Sequence, residues 1–155
     1  MSSVIATIYN QAAAHLATLD FFITYADKVK ILVQDTGEIQ NEIDQALDRL
    51  GVSVLFLMRG GTVNKPNLPG PYLEDIRLTV EVSENATVNR QGTYVDGLEV
   101  VEHVMNGLHH LQVTDVPKVN EIINAAGFFL QPPAPGATLT YHCDFNTNGG
   151  LSLVP

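Results

Sequence analysis

Cysteine occurs once in the chain, at Cys143, so no disulfide can form within it and nothing points to an oxidising compartment. Cations are also scarce: eight Lys and Arg against seventeen Asp and Glu give a formal net charge of −9. A chain this acidic lacks the groups that grip phosphates, which argues against nucleic acid as a tightly held ligand. The charge is compatible with lining a passage through which DNA slides without sticking. No apolar run approaches the roughly 20 residues that cross a bilayer. The start, MSSVIATIYN, has no basic segment and does not read as a signal peptide. The expectation is a soluble protein made inside a cell, for which the sequon Asn85-Ala86-Thr87 has no bearing. There is no G-x-S-x-G, phosphate loop or dinucleotide fingerprint, and no internal repeat, linker or low-complexity tract. The reading is therefore one domain over residues 1–155, not an enzyme, with no cofactor or metal.

What is present is a hydrophobic share of 45% beside only 16% charged residues. The length suffices for a packed core, and a surface so poor in charge favours oligomerisation.

The clearest pattern runs from Leu78 to Leu111. Ile76, Leu78, Val80 and Val82 alternate with Asp75, Arg77, Thr79, Glu81 and Ser83. Period 2 gives a strand with one buried and one wet face, as in antiparallel sheets. After the polar loop Glu84–Gly92, the residues Tyr94, Leu98, Val101, Met105 and Leu108 recur at helical spacing and predict a buried stripe on a helix over 93–111. Thr93 with Asp96 three residues on resembles a capping box. Gly97 and Gly107 either admit a close neighbour or loosen that helix.

Elsewhere, residues 3–18 predict a helix with Ile5, Ile8, Ala12 and Leu16 on one face. A short strand is expected near Lys28–Val33. Asp35–Leu50 predicts a helix capped by Asp35, with Ile39, Ile43, Ala46 and Leu50 buried and Gly51 as its left-handed terminator. Val52–Arg59 is apolar on both faces and reads as a central strand. Gly60–Pro71 reads as a hairpin tip or a loose loop. Pro117 could open a helix through Ala126, with Phe128–Leu130 a strand after it. In Thr138–Phe145, Leu139, Tyr141, Cys143 and Phe145 share one face. The order implies an α+β fold: an antiparallel-dominated sheet with helices on one face, helices 35–50 and 93–111 covering the apolar side.

Candidate chemistry is thin. Asp144, Asn146, Asn148 and Gly149 match half of a calcium loop, but its twelfth position is Pro155 rather than Glu, so a polar turn accounts for them better. His103, His109 and His110 cluster at a helix end, where the dipole favours them without any metal. His103 and His110 are spaced less suitably for a metal than an i, i+4 pair. Cys143 and His142 occupy adjacent strand positions and point apart, so they cannot form a nucleophile pair. Cys143 reads as a small core residue. The loop Glu84–Gly92 is either a binding surface on a rigid scaffold or a solvated connection.

The run V-x-V-x-E-N-x-x-x-N-R, here Val80, Val82, Glu84, Asn85, Asn89 and Arg90, followed by a helix ending at Leu108, His109 and Leu111, resembles the tail-terminator and tail-completion proteins of tailed bacteriophages. The order of elements over 35–111 is similar as well. Leu111-Gln112 stands where the family's segment usually closes on an aromatic. The resemblance implies a homo-oligomeric ring, usually a hexamer, that caps the tail tube and joins it to the neck or connector protein. DNA would pass through the lumen without specific binding and no membrane is involved; the location is the virion, after assembly in the host cytoplasm. It implies subunit or tube contacts through Gly60, Asn64, Lys65 and Asn67 of the hairpin and Glu84, Asn85, Asn89 and Arg90 of the loop. Alternatives are a head-completion or connector protein, or, in another class, a small α+β ligand-binding domain or enzyme.

Overall fold

The computed structural model describes residues 3–34, 38–64, 72–92, 94–114, 121–131, 138–148 and 150–152. In chain order the elements are α1 (Val4–Ala17), α2 (Asp20–Thr24), β1 (Val29–Val33), α3 (Ile39–Arg49), β2 (Val52–Asn64), β3 (Tyr72–Asn85), α4 (Ala86–Asn89), α5 (Gly97–Leu108), β4 (Leu111–Val113), β5 (Glu121–Leu130), β6 (Thr138–Asn148) and β7 (Gly150–Ser152). The fold is α+β. One seven-stranded sheet runs β1-β2-β3-β6-β5-β4, with β7 beside the far end of β3. Every pairing is antiparallel except β1 with β2.

The apolar face of the sheet is built from the alternations read in the sequence. Val54, Val82 and Tyr141 lie in register across β2, β3 and β6, as do Phe56, Val80 and Cys143. All six are buried, under α1 and α5. α1 starts where the Ser3 hydroxyl accepts from the Ala6 amide at 3.2 Å, and it buries Ile8, Ala12 and Leu16 one turn apart. α5 begins later than expected. Asp96 is its N-cap, accepting from the Leu98 amide at 3.0 Å, rather than the third residue of a box opened by Thr93, which lies outside the described residues. Its buried stripe is Gly97, Val100, Val101, Val104 and Leu108, while Tyr94 and Leu98 stay exposed. Gly97 lets the first turn of α5 come close to the sheet, where a Cβ would stand 3.2 Å from the Tyr141 ring; Gly107 instead admits Leu16 of α1 and Leu19, which a Cβ there would meet at 3.1 and 2.5 Å.

α3 corrects another expectation. Its described turns start at Ile39 with Glu38 as an N-cap that makes no side-chain bond; Asp35 lies outside the described residues. It does not cover the apolar face. Its neighbours are Leu32, Ser53, Leu55 and Ser83, which point to the opposite side from the core. The amphipathic stripe identifies which side of α3 is buried, but it cannot say against which face of the sheet. Leu55 on β2 and Leu32 on β1 give the second face its own apolar landing.

The β2–β3 hairpin is longer than the sequence suggests. Gly60 to Asn64 continue β2 and pair with Tyr72 to Arg77, through register shifts on both sides of Gly60. Gly60 (φ +141°) and Asp75 (φ +48°) absorb that irregularity. Among the described residues the helix expected over 117–126 is replaced by a strand: Glu121–Leu130 is β5, paired from Ile122 to Leu130 with β6. The segment Asn124-Ala-Ala-Gly127 has little strand propensity of its own, so the pairing decides.

Candidate functional site

The run Glu84, Asn85, Asn89, where the sequence pattern is densest, closes into an interior polar lock. β3 ends at Asn85, whose side chain caps α4 by accepting from the Val88 amide at 3.4 Å. One turn later Asn89 points back inside and is fully buried. Its Nδ2 donates to Glu84 Oε1 at 2.9 Å and to the Val95 carbonyl, and its Oδ1 accepts from the Val95 amide. Glu84, itself buried, faces the first turn of α5, where a Cβ on Gly97 would meet Glu84 Oε2 at 2.5 Å. Two phenols adjoin the same carboxylate. Loss of water around the hydroxyl first, and then the charge of Glu84, raise both Tyr94 and Tyr141 above the usual tyrosine range, although the Tyr94 side chain as a whole is 48% exposed. On the far side Gly51 (φ +112°) sits against the Asn89 backbone, and the Asn85 amide donates to the Gly51 carbonyl at 2.8 Å. The lock thus joins the start of β2, the end of β3 and the start of α5.

This arrangement corrects the role expected of Glu84 and Asn89. Their polar atoms are satisfied within the subunit and present nothing to a neighbour, because a buried carboxylate and amide without partners would be costly. Asn85 is half-buried and occupied as a cap; Arg90 is exposed. Gly60 is part of β2, the side chain of Asn64 is not described, and Lys65 and Asn67 lie outside the described residues. Among the described residues of this set, Glu84 and Asn89 are interior while Arg90 is exposed, so these do not share one surface.

The other polar clusters are equally committed. The His103 ring stacks on Phe21 with centroids 3.8 Å apart, and His109 Nδ1 accepts from the Ala125 amide at 3.1 Å. Asp144 and Asn146 lie in extended β6, and Asp144 accepts from the Thr79 hydroxyl at 2.8 Å instead of curling around a cation. Cys143 is a buried core residue, as expected. Burial, aided by the charge of Asp144, pushes its thiol up from 9.0 to about 12. Native protein at pH 8 should then resist thiol alkylation until it is unfolded; equal reaction rates with and without denaturant would refute this. The unfolded thiol ionises first, so this group's contribution is complete below pH 9 and is lost as pH rises toward 12.

One surface feature remains. β4 pairs only with Glu121–Ile123 of β5, so no described strand lies along the outer edge of Ala126–Leu130. That edge carries Phe128, Phe129 and Leu130, all close to half exposed or more. Phe129 stacks on the buried His142 at 4.7 Å, nearly parallel. His142 Nε2 pairs with Gln131 at 2.9 Å, while its Nδ1 lies 3.5 Å from Glu81 without a hydrogen bond. Sequence reasoning identified Phe128–Leu130 as a strand but not as an edge. Three large apolar residues in succession leave both faces apolar, which was the available signal.

No protein family matches the chain, and no curated protein matches it. Among the described residues, no helix is long and apolar enough to cross a membrane.

Proposed function

We propose that the protein is a self-assembling structural subunit of a bacteriophage tail, a terminator whose homo-oligomeric ring caps the tail tube and meets the neck. The observation that carries the assembly part of this reading is the β5 edge. An uncharged strand edge with three exposed large apolar side chains is a site that must be covered to stay soluble, and pairing with another chain covers it. The tail assignment is supported by the motif from Val80 to Arg90, now understood as a fold-determining lock instead of a contact surface. The acidic balance suits a lumen that DNA traverses.

Sedimentation of the purified protein tests the reading, with negative-stain microscopy for rings. Replacing Phe128 and Leu130 together with serine should shift the mass from multimer toward monomer while leaving thermal stability nearly unchanged, because both side chains are already half exposed. A wild-type chain that stays monomeric at every concentration, with and without tail tubes, would overturn the proposal.

A further inference from the structure

On the face opposite α1 and α5, α3 lies over β1 and β2 and reaches Ser83 of β3. Farther along β3, toward β6 and β5, the same face forms an open groove of about 460 Å³, lined by Arg59, Arg77, Thr79, Phe129, Asp144 and Asn146. Arg59 and Arg77 rise from adjacent strands, since Arg77 stands opposite Gly60 in the register. Both are exposed. Arg59 Nε donates to the Thr79 hydroxyl at 3.3 Å, and Thr79 in turn donates to Asp144. Arg77 has no ion-pair partner among the described residues. Two guanidinium groups thus face one carboxylate that already holds a hydroxyl. In a chain with seventeen acids and eight bases, such a cationic spot is unusual.

The same sheet face carries the opposite charge next door. α3 and its cap expose Glu38, Glu42, Asp44 and Asp48, with Arg49 the one exposed cation among them. Asp44 and Asp48 are one turn apart and project to the same side of the helix. We propose that the groove binds a second copy of the chain, with Asp44 and Asp48 of one copy seated against Arg59 and Arg77 of the other. The inference rests on the self-assembly reading and names its polar contact. Charge complementarity carries it. Two copies of net charge −9 repel as wholes, so approach is favoured only where opposite patches meet, which fixes their orientation. Because the two patches are different surfaces, the contact can repeat head to tail and close a ring.

Charge reversal tests it, with mass read by sedimentation equilibrium at low salt. All four residues are exposed, so the variants should fold with unchanged circular dichroism. Arg59→Glu with Arg77→Glu should weaken association at least tenfold, and Asp44→Lys with Asp48→Lys should do the same. Mixing the two double variants should restore association, because each groove then meets an α3 of opposite charge. Wild-type-like assembly by both variants, or a mixture that fails to recover, overturns the contact while leaving self-assembly standing. Loss on arginine reversal alone overturns the α3 assignment and places another acidic surface of the second copy in the groove. A wild-type chain that never associates overturns both this contact and the assembly reading.

Discussion

Gly51→Ala should lower the unfolding free energy by about 3 kcal/mol or more, seen as a fall in the urea midpoint with an unchanged slope. Two costs combine. The backbone at Gly51 has φ +112°, a conformation that L side chains rarely adopt, and strain of that kind costs on the order of 1–3 kcal/mol. The added Cβ would also lie 2.8 Å from the Asn89 Cα and 2.9 Å from its amide nitrogen. Those are backbone atoms of a fully buried residue and cannot rotate away. To relieve the clash Asn89 must move, and its bonds to Glu84 and Val95 would lengthen. A loss below about 1 kcal/mol would mean that the α3–β2 junction is not held as tightly as described.

The second large effect is expected at Asn89 itself. Asn89→Ala removes two donated bonds and one accepted bond in a site with no exposed surface. It leaves the Glu84 carboxylate short of a donor and the Val95 amide and carbonyl without that partner. Each unsatisfied buried group costs about 1–3 kcal/mol, and more if charged. A total near 3–4 kcal/mol is therefore expected, enough to unfold a marginal domain. Hydrogen exchange should report it first at the Val95 amide and in the opening turn of α5. If exchange there is unchanged while global stability falls, the lock does not hold α5 and its proposed role fails.

These two residues also mark how far the sequence could be read. The spacing of Glu84, Asn85 and Asn89 is visible in the sequence, but what the three residues do is not. Polarity alone suggested a surface, however, because burial of a hydrogen-bonded network depends on partners from Gly51 and Val95 that spacing does not reveal. The strand alternations at Leu78–Val82 and Leu139–Phe145 were legible because each has one strictly apolar face. α5 was placed to within a few residues, but its stripe shifted from Tyr94 and Leu98 to Gly97 and Val100. Gly97 on that face permits an approach to the sheet that a count of apolar residues ignores. β5 was missed as one strand because Asn124–Gly127 is held by its neighbour β6 and not by local preference. Arg59 and Arg77 became a pair only through the irregular register at Gly60, which no local pattern encodes.

The sheet order has a consequence for how the chain is made. β2 and β3 are neighbours in sequence and can zip together as soon as both exist. Over Arg77–Asn85, β3 receives its second neighbour from β6; the hydroxyls of Ser83 and Thr140, 57 residues apart, meet across that junction. A ribosome adding roughly 5–20 residues per second needs about 3–11 s to cover the distance. For that interval Leu78, Val80 and Val82 lie on a hairpin with one open flank. Closing so large a loop carries an entropic cost that a local hairpin avoids. Pairing of β3 with β6 is therefore the long-range step that closes this flank, and until β6 is made the hairpin edge stays open.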